Sequence, residues 1–429
     1  MIVEQARGVY IRKAMQRYDE KTMKAISLLV ILISSSFSSA EIQCTSLSQT
    51  VVDWFITFNR GGMGSSYFID AGGDTWQLAN SADTPVANTF QKYFNAINPH
   101  EINVIAYNNF PPRFKRKFDT SSGKGLLMQR DDQNIRQSSL NVGDTFLEAR
   151  RKAKLISSLF EYYMRGLRSS VTFAIMTLLV LTCCATGVIF MDVTAGSWIV
   201  HNIEQFPDFY INSFERQRVH LPGFILCFSI APDQLVKVVD AIEYEDPIIY
   251  FYELPRLPRM DVWNSDTFWH VLYGILPQTT PFLATKAVQT IGNLSVLVFS
   301  KLGSANMDIY SKYITYESES SLITYQAQYE YYDEVHPIVC NSTYSVRNLY
   351  GQLKLPREYV GGKGTWTISS DDNNTLWCFS SASRGRQRTL KVSESVVCLN
   401  HSGIYTRFAE IGISPNAPFL EQCVVGDSS

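Results

Sequence analysis

No apolar run in the 429 residues reaches the roughly 20 that carry a helix across a bilayer. The two longest, residues 25–33 and 171–185, are too short to span one, so no stable membrane anchor is expected. Basic excess is missing too. Lys and Arg total 38 against 40 Asp and Glu, a net charge of -2, which excludes a protein that coats nucleic acid with its whole surface. There is no C-x-x-C pair and no H-E-x-x-H helix, so zinc has no ligand pattern and neither metal nor cofactor is expected. The G-x-S-x-G elbow of a serine hydrolase is absent. Residues 122–125 and 361–364 each carry Gly-Lys-Gly, but neither lysine is followed by the Ser or Thr that holds Mg2+ in a phosphate-binding loop. Short repeats and Gly/Ser linkers are lacking as well. What is present is 45% hydrophobic and 13% aromatic residues, enough for a large core in two or three domains or one large one.

Residues 23–40, MKAISLLVILISSSFSSA, place a lysine after an internal methionine, then a short apolar stretch, then Ser38-Ser39-Ala40. That is the layout of a secretory signal peptide, and residues 1–22 read as an upstream extension of the true start. Secretion makes disulfides the default state of the eight cysteines. Sequons at Asn293, Asn341, Asn373 and Asn400 fit the same route as glycosylation acceptors.

A discontinuity lies at residues 126–187. The apolar flanks 125–128 and 187–191 each look like part of one buried strand, and removing the segment rejoins them as GKGVIFMD. Two readings compete: an insertion carrying a membrane-seeking hairpin, or translated sequence of an unspliced intron. We favour the second, because Phe, Leu, Val, Ile and Cys ahead of the join are what a pyrimidine-rich splice tract encodes. Without residues 1–40 and 126–187 the core has 327 residues with 24 basic and 32 acidic side chains, a net charge of -8.

Within that core, β-type runs at 52–58, 102–107, 197–201, 224–230 and 295–299 alternate with helical candidates at 84–96 and 232–243. The alternation predicts an α/β fold with a large mixed sheet. Two basic clusters, at 113–117 and 384–388, supply the local positive potential that phosphate contacts need. A solvated loop accounts equally well for either one alone.

The residues Asp53-Trp54-Phe55, Tyr67, Asp70, Trp76, Ala106-Tyr107-Asn108-Asn109 before Pro111-Pro112, and Lys124-Gly125 joined to Val188 and on to Asp192 form one ordered series. Trp198-Ile199-Val200-His201, Phe206-Pro207, Phe299-Ser300-Lys301 and Trp377-Cys378 continue it, and the whole resembles the deoxyribonuclease II family. The likeness runs from Cys44 to Cys423, broken only by 126–187. It implies a phospholipase D-like α/β fold: two similar halves with mixed sheets, about 41–245 and 246–429, packed into one globule around a shared cleft. It also implies pairing Cys44 with Cys227, Cys340 with Cys423 and Cys378 with Cys398, which leaves Cys183 and Cys184 as strays inside the interruption. The implied reaction is metal-independent endonucleolytic hydrolysis of DNA at acid pH by a secreted or lysosomal enzyme. Each half lends an H-x-K motif: one imidazole attacks phosphorus, the other protonates the leaving oxygen, and two lysines neutralise phosphoryl oxygens.

This chain departs from the pattern at both motifs. The first falls on Ser122-Gly123-Lys124-Gly125, where Lys124 stays and Ser122 stands at the histidine position. The second falls on Asn374-Thr375-Leu376-Trp377, where Asn374 and Leu376 stand at the histidine and lysine positions. None of the six histidines has a lysine two residues on. Loss of nucleophile and acid together costs several orders of magnitude in rate. The expectation is a catalytically impaired copy that holds the phosphate backbone of double-stranded DNA through Lys124 and the clusters Arg113, Lys115, Arg116, Lys117 and Arg384, Arg386, Arg388. Two alternatives stand beside it, an active acid nuclease using His201 with Lys124, and a secreted protein-interaction module.

Overall fold

The computed structural model describes residues 42–60, 66–80, 84–96, 102–108, 111–112, 186–209, 222–255, 261–326, 336–340, 343–355, 358–361, 365–371, 373–382, 384–385, 388–413, 420 and 423. The signal segment 23–40, residues 126–185 of the interruption, Arg113, Lys115, Arg116, Lys117, Ser122, Lys124, Asn341 and Arg386 lie outside the described residues.

Two sheets form the body. The first has eight strands, β1 (Trp54–Asn59), β2 (Ser66–Asp70), β3 (Gly73–Ala79), β4 (Asn103–Asn108), β5 (Thr186–Met191), β6 (Gly196–His201), β7 (Gly223–Ile230) and β8 (Ile249–Glu253), in the order β3-β2-β1-β7-β6-β5-β4-β8. The second has β9 (Leu283–Gln289), β10 (Ser295–Lys301), β11 (Leu322–Gln326), β12 (Val346–Tyr350), β15 (Thr365–Ser369), β16 (Leu376–Ser380) and β17 (Glu394–Asn400), ordered β12-β11-β15-β16-β17-β10-β9. Between them in sequence, β13 (Gln352–Leu355) and β14 (Glu358–Gly361) pair as a hairpin. All neighbours are antiparallel except β11 with β12. The first sheet takes in β8, so it reaches past residue 245, where the sequence alone placed the division between halves.

Side-chain alternation explains how the sheets stack. Along β1, Trp54, Ile56 and Phe58 join the central core while Phe55 faces the opposite side; on β7, Phe224, Leu226 and Phe228 alternate with Ile225 and Cys227 in the same way. In the second sheet Trp377, Phe379, Val397 and Leu399 face that same core, and Leu376, Cys378, Val396 and Cys398 face outward. One apolar cluster therefore binds both sheets. At about 1.5–3 kcal/mol per fully buried large side chain, separating them would be prohibitive.

Four helices close the layers. Helix α1 (Pro85–Phe94) starts where Thr84 caps the amide of Ala87 and proline takes the first turn, and it packs Val86, Phe90 and Tyr93 on the outer face of the first sheet. Helices α2 (Leu235–Ile242), α3 (Asp266–Tyr273) and α4 (Ser402–Ile413) feed the central cluster, with Val238, Val271 and Phe408 among the contributors. Asp53 also pins the β9-β10 turn to the first sheet, accepting from Thr290 Oγ1 and Gly292 N, each at 2.6 Å. Disulfides join Cys44 to Cys227, Cys340 to Cys423 and Cys378 to Cys398, the pairs the family resemblance implies.

Candidate functional site

The second motif frame opens β16, where Leu376 is the direct cross-strand partner of Asn400 on β17. Leu376 is 4% exposed and belongs to the outer apolar cluster with Tyr310 and Val396, so the lysine position now serves packing. Asn374, at the histidine position, is taken up by its own turn: Oδ1 accepts from Leu376 N at 3.1 Å and Nδ2 donates to Ser318 O at 3.4 Å. A carboxamide there can hold a turn, but it has no proton to exchange at any ordinary pH. Beside it, Thr375 Oγ1 donates to Asn400 Oδ1 at 2.5 Å.

The first motif frame, residues 122–125, lies outside the described residues; the first sheet is described up to Asn108 and again from Thr186. The chain leaves β4 at Asn108 and re-enters the sheet at Thr186, its direct cross-strand partner. The Thr186 hydroxyl donates to the carbonyl of His201, and Asn108 Nδ2 donates to the carbonyls of Ile203 and Phe206 at 3.1 and 2.9 Å. A Cβ on Gly187 would fall 2.4 Å from the Tyr107 hydroxyl and 2.6 Å from Ile199 O, so only glycine fits. His201 ends β6, directly after Val200, the cross-strand partner of Gly187.

His201, which one sequence reading pairs with Lys124, is enclosed by its own half of the fold. It is 0% exposed, its Nδ1 accepts from Ile203 N at 3.1 Å, and its ring meets Phe206 edge-on. Burial pushes its pKa down to about 3, the bond from Ile203 opposing. With Nδ1 accepting, the proton sits on Nε2, which has no hydrogen-bond partner among the described residues.

The cluster at 384–388 also resolves differently from its sequence. Arg384 is fully buried: Nη2 lies 2.7 Å from Asp308 Oδ2, and Nη1 donates to Asn348 Oδ1 at 2.7 Å. It is a structural ion pair and not a phosphate contact. Burial alone would raise the Asp308 carboxyl, but the Arg384 guanidinium outweighs it and holds the pKa at about 2. Arg388 begins a helical turn, Arg388–Lys391. Lys301 is buried as well, with Nζ donating to Val392 O at 2.5 Å and standing 3.5 Å from Glu394 Oε1. Burial pushes Glu394 up to about 7 against the pull of Lys301. Glu245 reaches about 7 for the same reason, opposed by a hydrogen bond from Ser395. Nothing in a linear sequence separates these buried carboxyls from solvated ones, so they were not among the expected site residues. Among the described residues no three His, Cys, Asp or Glu side chains come together as a metal site.

Two facing sheets sharing one apolar core, with helices packed on them, define a two-half α/β protein of the phospholipase D-like type. The chain belongs to the deoxyribonuclease II family, whose model, described as Deoxyribonuclease II, matches residues 183–416. Among curated proteins it is similar to Cell-death-related nuclease 7 of Caenorhabditis elegans, 18% identical over 401 residues that cover 89% of this chain and 90% of that one. It is 22% identical to Deoxyribonuclease-2 of Caenorhabditis elegans over 318 residues, 70% of this chain and 74% of the relative. Against Deoxyribonuclease-2-beta of Rattus norvegicus the identity is 20% over 409 residues, 90% and 95% of the two chains. Membership suggests a deoxyribonuclease, makes DNA a plausible substrate, and agrees with three disulfides of an extracellular or lysosomal protein.

Proposed function

We propose that this chain is a secreted or lysosomal, glycosylated deoxyribonuclease II-type protein in which metal-independent acid hydrolysis of DNA is lost or sharply reduced. What remains is binding of duplex phosphates through Lys124, Arg113, Lys115, Arg116 and Lys117. The second motif frame carries the reading: a turn-closing Asn374 and a buried Leu376 offer neither proton transfer nor charge to a phosphoryl group. A missing general acid alone is worth about 10²–10⁴-fold in rate.

Gly187 supports treating 126–187 as foreign. In the sequence with that segment removed, Gly125 directly precedes Val188, as Gly187 does where it meets the Tyr107 hydroxyl. Both ends of the segment thus supply glycine ahead of Val188.

Purified secreted protein, incubated with plasmid near pH 5 in chelator, tests the reading beside a variant carrying Ser122→His, Asn374→His and Leu376→Lys. No nicking by the unmodified protein is expected; nicking overturns the proposal. Affinity for duplex DNA should fall with salt and on neutralising Arg113, Lys115, Arg116 and Lys117. Binding that ignores salt would favour a protein-interaction role.

A further inference from the structure

We propose that Asn373 and Asn400 carry N-linked glycans that stand side by side over the second motif frame and keep DNA off it. The inference rests on the impaired reading above and names what covers that site. Each residue heads a sequon, Asn373-Asn374-Thr375 and Asn400-His401-Ser402, and each is exposed. The two sequons touch: Thr375, the hydroxyl residue of the first, donates to Oδ1 of Asn400 at 2.5 Å. That bond uses the amide oxygen and leaves Nδ2, the atom that takes the sugar, outside it.

Both motif positions lie within this pair. Asn374 is inside the first sequon, and Leu376 is the cross-strand partner of Asn400. Glycans are bulky and hydrated, and two rooted on either side of one strand start leave no approach for a duplex as wide as DNA. Asn293, by contrast, lies in the β9-β10 turn that Asp53 clamps.

The transfer itself balances simply. The C–N bond to Nδ2 forms as the sugar–oxygen bond of a lipid-pyrophosphate-linked oligosaccharide breaks, and the amide proton leaves with the pyrophosphate. No oxidant or reductant is needed.

The full chain, secreted from a eukaryotic host, supplies the test. Intact mass should fall by one glycan in Asn373→Gln and by one in Asn400→Gln. Thr375→Val, which keeps Asn373 but removes the hydroxyl its sequon needs, should lose the same glycan as Asn373→Gln. On the folded wild type, trimming with an endoglycosidase that leaves one sugar, and so adds no charge, should raise affinity for a short duplex by about tenfold, as the duplex gains the surface the glycans had covered. An unoccupied Asn373 or Asn400 overturns the proposal, and so does an affinity that trimming leaves unchanged. Plasmid nicking by untrimmed protein would sink the impaired reading separately, because the mass measurement does not depend on it.

Discussion

Replacing Glu245 by glutamine probes whether acid pH tightens the joint between the two sheets. Glu245 ends the turn Glu243–Glu245 that follows α2, is 5% exposed, and receives a hydrogen bond from Ser395 on β17. Ser395 in turn shares a 2.5 Å contact with Ser300 on β10. From the first sheet Tyr107 lies close enough for the Glu245 charge to help raise its own ionisation, after burial. Burial carries the Glu245 carboxyl from 4.5 to about 7 on folding. Between those values the native chain keeps a proton that the unfolded chain has lost, which is worth ~3 kcal/mol. The contribution is complete below pH 4.5, declines as pH rises, and is gone above about 7. Glu394, also raised to about 7 and faced by Lys301, Asp308 and Tyr310, adds in the same direction. Asp308, held at about 2, contributes stability that is lost only in stronger acid, so it does not cancel the slope. Calorimetric melts from pH 4.5 to 7.5 should show wild-type Tm falling, by about 1–2 °C for each kcal/mol in a chain of this size. Glu245→Gln keeps an acceptor for Ser395 and cannot ionise. It should match wild type near pH 5 and exceed it by up to ~3 kcal/mol near pH 7.5. Parallel Tm profiles for the two proteins would refute the reasoning.

Arg384→Met should cost about 3–5 kcal/mol in urea unfolding, because it leaves the Asp308 carboxylate buried without its counter-charge, while DNA affinity of the folded fraction should not change. Gly187→Ala should lower stability by about 1–3 kcal/mol in the same assay, since its Cβ would overlap both the Tyr107 hydroxyl and Ile199 O; a neutral result would refute the close approach.

Local patterning carried most of the element positions. The run at 52–58 became β1 at Trp54–Asn59, and 224–230 became β7 at Gly223–Ile230, because near-continuous apolar runs of this length encode a strand buried on both faces. Helix α1 announced itself through Thr84 and Pro85. Long-range partnership was not legible in this way. Arg384 sits among three arginines within five residues and looks solvated until Asp308, distant in sequence, closes on it. The division at 245 missed β8 for the same reason, since only pairing with β4 assigns that strand to the first sheet. At the positions read as motif frames, the residue types alone carried the expectation of impaired chemistry. That His201 is sealed and that Asn374 has become a turn residue required coordinates, because burial and backbone partners are properties of the whole packing.

The pairing of Asn108 with Thr186 makes the first sheet tolerant of the chain that connects them. A chain that departs from and returns to adjacent rungs of one ladder leaves the sheet nearly indifferent to what lies between. Extending the connection from residues 109–123 to residues 109–185, about fivefold in length, costs roughly 1.5 kcal/mol of closure entropy. The first sheet is therefore expected to form around a connection of either length, with its register fixed at the rung that Asn108 and Thr186 close.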